Sequence, residues 1–71
     1  MQGLTRRQSE ALKAIKNFIR DEGYSPTYRE LGERLGVTAQ SVKHHAHELK
    51  RRGAIDFTPG RAGTIRVLDA Q

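Results

Sequence analysis

Five residues in the middle of this chain, Gln40, Ser41, Lys43, His44 and His47, carry side chains able to read or grip another molecule without transforming it. Between them they offer an amide, a hydroxyl, an ammonium and two imidazoles. A glutamine amide pairs bidentately with adenine, and lysine donates to the O6 and N7 of guanine. Their spacing places them together. With Val42 at 0° and about 100° per helical residue, Ala46 and Leu49 stay within about 40° of Val42. Gln40, Ser41, His44, His47 and Arg51 then point about 100° or more away, with Lys43 on the flank. One stripe is aliphatic, and the other is polar and cationic.

Other chemistry is harder to assemble. His44 and His47 stand at i, i+3, a spacing that suits one edge of a zinc site, but no third ligand is evident and the chain has no cysteine. His45 lies about 60° from Val42 and is expected to pack at the domain edge. No pair of carboxylates, no nucleophile beside a base and no phosphate-cradling glycine loop can be built. The expectation is a protein that is not an enzyme, with no cofactor, no metal and no small-molecule substrate.

Composition supports a polyanionic partner. The 71 residues hold 13 Lys and Arg against 8 Asp and Glu, a formal charge of +5. Residues 1–37 have seven basic and five acidic groups, whereas residues 38–66 have six basic and only two acidic. A basic C-terminal half is the electrostatic footprint of a nucleic-acid binder. The lack of cysteine excludes disulfides and thiolate chemistry. No apolar run approaches the roughly 20 residues of a membrane span, and Met1 to Arg7 leads into a charged helix, unlike a signal peptide. A cytoplasmic protein is expected.

The elements that must position these groups are legible from their punctuation. Thr5 with Gln8, and Thr27 with Glu30, have capping-box spacing; Gly23 and Gly36 follow the helices they open. Helices are expected over about 6–22, 28–35 and 39–52, the last capped by Thr38 and ended by Gly53. Ala11, Leu12, Ile15, Phe18 and Ile19 form the first apolar stripe, and Leu31 and Leu35 the edge of the second. After Gly53 the period changes to two. Strands are expected over about 54–58 and 64–68, with Ile55, Phe57, Ile65 and Val67 inward and Pro59 to Gly63 as the loop. Residues 69–71 read as a loose tail, and residues 1–71 as one domain.

Two short helices around Gly36, with Val37 plugging the gap, make a helix-turn-helix, and the hairpin that follows makes it winged. The fold class is therefore mainly α with a small β-hairpin. Base reading is expected from the start of helix three, at Gln40, Ser41, Lys43 and His44. Backbone contacts are expected from Thr27, Tyr28 and Arg29 at a helix N-terminus. Thr38, Ala39, His47, Arg51 and Arg7 are expected to do the same. Arg61, between glycines at the hairpin tip, suits a narrow minor groove or a phosphate. Lys50, Arg51 and Arg52 also stabilise the dipole at a helix C-terminus.

The chain resembles the N-terminal DNA-binding domain of the LexA family, the bacterial SOS repressors. The likeness runs from Leu4 to about Leu68. It is carried by Leu4-Thr5, Arg7-Gln8, Gly23-Tyr24-Ser25-Pro26-Thr27, Arg29-Glu30-Leu31-Gly32, Leu35-Gly36, Gly53-Ala54-Ile55, Gly60-Arg61 and Ile65-Arg66-Val67. The resemblance implies a third helix in the major groove of a palindromic operator, two copies per site, and a role in repression. Aligned through Val42, the family's base-contacting positions fall on Gln40, Ser41, Lys43 and His44. The turn into helix three is one residue shorter than is usual in the family. Side chains at these positions vary within it, so no operator sequence is implied. The family's peptidase half is absent from these 71 residues. Self-cleavage is therefore not expected of them, and they are expected to be monomeric or weakly dimeric without DNA. An excised domain fits the sequence. So does a stand-alone factor of a phage or mobile element that shapes or excises DNA. A winged helix that docks a protein would instead show an apolar patch on helix three or the wing, and none is visible.

Overall fold

The computed structural model describes residues 3–68. Three helices, α1 (Arg6–Glu22), α2 (Tyr28–Leu35) and α3 (Ala39–Arg51), are followed by β1 (Ile55–Asp56) and β2 (Arg66–Val67). The strands pair antiparallel, Ile55 with Val67 and Asp56 with Arg66. This is a winged helix-turn-helix. The tail expected over residues 69–71 lies outside the described residues.

The helices begin where side chains satisfy their free amides. Thr5 accepts from the Gln8 N–H at 3.1 Å and Gln8 returns a bond to Thr5 at 3.0 Å. Thr27 and Glu30 make the same reciprocal pair at 3.1 and 2.9 Å. Thr38 accepts from the Ser41 N–H at 3.1 Å, but serine is too short to reply, so α3 is capped from one side only. Gly36 has φ +73°, the left-handed turn that lets the cap of α3, Thr38, stand only two residues later.

The helical stripes meet in one core. Ile15, Leu31, Val42, Leu49 and Ile55 are all at most 2% exposed, with Ala11, Ala46, Ala54, Phe57 and Ile65 around them. Each large side chain so placed contributes about 1.5–3 kcal/mol relative to exposure. Leu4, Ile19, Leu35, Val37 and Val67 pack on the rim of this core. Arg34 fastens α2 to the end of α1. Its guanidinium reaches Asp21 at 3.4 Å and Glu22 at 3.1 Å, and lies 4.9 Å from the centre of the Phe18 ring.

Two boundaries differ from the sequence expectation. α3 stops at Arg51, and Arg52 is its cap because Gly53, at φ +79°, turns the chain away. The strands are two residues each instead of five. The Thr58 N–H is taken by the Thr64 hydroxyl at 2.9 Å, so backbone pairing ends at Asp56 and Arg66. At the other end the Leu68 N–H still donates to the Ala54 carbonyl at 2.9 Å. Phe57 is buried as expected, but beyond the strand.

Candidate nucleic-acid interface

The rotation of α3 follows from which side its core takes. Val42, Ala46 and Leu49 are at most 2% exposed, and this turns Gln40, Lys43, His44, His47 and Arg51 outward. Ser41 is half-buried beside them. Thr38 and Ala39 are exposed at the start of the helix, where unpaired backbone amides and the positive end of the dipole meet solvent. Four of these groups, Gln40, Ser41, Lys43 and His44, thus lie on the first turn and a half of one surface-facing helix.

The face is not wholly cationic. Arg51 donates to Glu48 at 2.8 Å, and this hydrogen bond, ahead of the nearby charges, holds the Glu48 carboxyl below its ordinary value. Arg51 therefore arrives already paired. His44 and His45 have ring centres 5.7 Å apart, with His45 half-buried as expected. His45 borders a recess of about 490 Å³ with Arg6, Arg7, Glu10, Leu35 and Val37, which puts Arg7 beside the helix-turn-helix corner. Among the described residues no group of three or more His, Asp or Glu is placed to hold a metal ion.

Phe57 is the junction that sequence reasoning missed. His47 meets its ring edge-on at 5.2 Å and Tyr28 does so at 6.3 Å. The Lys50 ammonium sits 4.9 Å from the same ring centre, donates to the Phe57 carbonyl at 2.8 Å and pairs with Asp56 at 3.4 Å. Tyr28 is half-buried, and burial pushes its phenol up. Its ring thus holds α2 to the wing, while Thr27 is engaged as a cap. Arg29 is exposed and makes no ion pair among the described residues. The Lys50 contacts had no signal in the sequence beyond a cation seven residues before an aromatic.

Arg61 stands exposed on the wing, and its side chain likewise makes no ion pair among the described residues. Its N–H donates to the Thr58 carbonyl at 3.1 Å and its own carbonyl accepts from the Thr64 hydroxyl at 3.0 Å. A hollow of about 260 Å³ separates this loop from Pro26, Thr27 and Tyr28. Three acidic groups gather away from α3 and the wing. Glu22, Glu30 and Glu33 border a recess with Tyr24 and Arg34, to which no residue of α3 or the wing contributes. The exposed large hydrophobic residues among those described, Tyr24 and Leu68, are on neither α3 nor the wing loop.

A buried aliphatic seam behind an exposed polar helix, with a cation-bearing hairpin loop beside it, defines a DNA-binding winged helix-turn-helix. Residues 1–64 match the family described as LexA DNA binding domain, and the chain belongs to that family. It is 40% identical to the LexA repressor of Halalkalibacterium halodurans over 72 aligned positions, which cover all of this chain and 35% of that protein. It is 41% identical to the LexA repressor of Pseudomonas aeruginosa, over 94% of this chain and 33% of the relative. Identity to the LexA repressor of Saccharophagus degradans is 43%, over 94% and 34%. The chain thus spans about a third of the length of these relatives. No helix among the described residues is long and apolar enough to cross a membrane.

Proposed function

We propose that this chain binds double-stranded DNA in a sequence-dependent manner and serves as the operator-recognising module of a transcriptional repressor, performing no chemistry itself. The observation that carries this reading is the rotation of α3. Gln40, Lys43 and His44 face solvent while Val42 and Leu49 are sealed beneath them. Gln40, Ser41, Lys43 and His44 read base edges in the major groove. Thr38, Ala39, His47 and Arg51 flank them. Arg7, Thr27, Tyr28 and Arg29 lie towards the backbone, and Arg61 enters the minor groove or clamps a phosphate. Two copies on a two-fold-related pair of half-sites suit a module this small, because one short helix reaches only a few base pairs.

The test is selection from random duplexes, followed by titration of the enriched site. Gln40→Ala is expected to narrow the gap between cognate and scrambled duplexes by about 1–3 kcal/mol. Arg61→Ala is expected to weaken all duplexes alike and to lower the salt slope by about 0.9. Failure of the parent to enrich any motif, or parent-like binding by both variants, overturns the assignment.

A further inference from the structure

The wing has almost no sheet to hold it. Backbone pairing ends at Asp56 and Arg66, so the segment from Phe57 to Ile65 must be oriented by side chains. Phe57 and Ile65 anchor its two ends in the core, with Tyr28 and His47 against the Phe57 ring, and two polar side chains do the rest. The Thr64 hydroxyl closes the loop on itself, accepting from the Thr58 N–H at 2.9 Å and donating to the Arg61 carbonyl at 3.0 Å. The Lys50 ammonium ties the base of that closed loop to α3, through the Phe57 carbonyl at 2.8 Å, the Asp56 carboxylate at 3.4 Å and the Phe57 ring at 4.9 Å. Asp56 is itself fixed from three sides. It accepts from the Phe57 N–H at 2.9 Å and faces Arg66 at 3.5 Å as well as Lys50.

We propose that Lys50 is a positioning residue for DNA binding: it latches the wing to the recognition helix and so sets where Arg61 falls, without itself contacting a phosphate. This rests on the DNA-binding reading above. In the free protein its ammonium donates to the Phe57 carbonyl at 2.8 Å and pairs with Asp56 at 3.4 Å, and breaking a charge-assisted bond to free it for a phosphate gains little. A cation at this place in a basic run otherwise reads as one more backbone contact. The two roles differ in measurable ways. A phosphate contact of its own would add to the counterions released even in a variant that lacks Arg61, and a latch would not. A latch acts through Arg61, so its loss and the loss of Arg61 are not additive.

Lys50→Met keeps an unbranched apolar side chain of similar length and removes the ammonium. Amide exchange in the free protein reads the latch without DNA. Lys50→Met is expected to speed exchange at Thr58 and Arg61 by about fivefold or more, and Lys50→Arg to restore protection. On a cognate duplex Lys50→Met is expected to lose about tenfold in affinity, but less than about twofold in an Arg61→Ala background, where the salt slope is also expected to stay unchanged. Unchanged exchange at Thr58 and Arg61 overturns the latch, whatever the DNA result. A salt slope lowered further in the Arg61→Ala background, or a loss that simply adds to that of Arg61→Ala, overturns it in favour of a phosphate contact. If the parent binds no duplex selectively, the functional reading fails while the exchange measurement still decides the latch.

Discussion

Gly32 and Val37 touch backbone to backbone. The Val37 N–H donates to the Gly32 carbonyl at 3.0 Å, and a β-carbon added to Gly32 would stand 2.7 Å from the Val37 carbonyl oxygen. The corner between α2 and α3 is thus folded onto α2 as closely as the chain permits, at a glycine with ordinary helical backbone.

Gly32→Ala is expected to destabilise the protein although alanine is the better helix former. The propensity gain is about 1 kcal/mol. The added methyl group meets backbone instead of a movable side-chain end, so the overpacking cost falls towards the upper part of its usual range of about 1–3 kcal/mol. A net loss of about 1–2 kcal/mol in urea unfolding is predicted. A variant as stable as the parent would mean that the corner yields freely.

Thr38→Ala should cost about 1 kcal/mol in the same assay, because α3 has only this one side-chain cap. Its first turn carries Gln40 and Ser41, so fraying there should also lower affinity for the selected duplex. Thr38→Ser, which retains the hydroxyl, should recover most of both losses; no recovery would locate the effect in the threonine methyl group.

Acid should unfold the protein partly through three carboxylates. The Lys50 bond, with the Phe57 amide and Arg66, holds Asp56 below its ordinary 3.8. Asp21 is lowered by its hydrogen bonds to Arg20 and Arg34, and Glu48 by Arg51. A carboxyl group whose folded value is depressed stabilises the fold fully above its unfolded value, and that stability is lost as pH falls through the folded value. Thermal midpoints should therefore carry the full contribution of these groups, unchanging with pH, above about pH 5 and decline below about pH 4. Asp56→Asn should make the decline shallower. An equally steep decline in that variant would remove Asp56 from the account.

The sequence disclosed what repeats or caps. Threonines three residues before Gln8 and Glu30 located two helix starts, Gly36 marked the corner, and the Val42–Ala46–Leu49 spacing oriented α3. It overstated the strands, since alternation at Ile55, Phe57, Ile65 and Val67 reports burial and not backbone pairing. It was silent on the contacts of Lys50, the close approach of Gly32 to Val37 and the Phe57 junction. Those contacts join positions from different elements, and their meaning arises only when α2, α3 and the wing converge. Arg51 stood out as a free cation because its pairing with Glu48 depends on rotamers, which spacing does not settle.

Glu22, Glu30 and Glu33 gather in a recess to which α3 and the wing contribute no residue, so part of the molecule's negative charge is held apart from α3. In the field of a polyanion such a body feels a torque as well as a pull. A DNA duplex would begin to turn it within about a Debye length, and more of their collisions would then begin with α3 foremost.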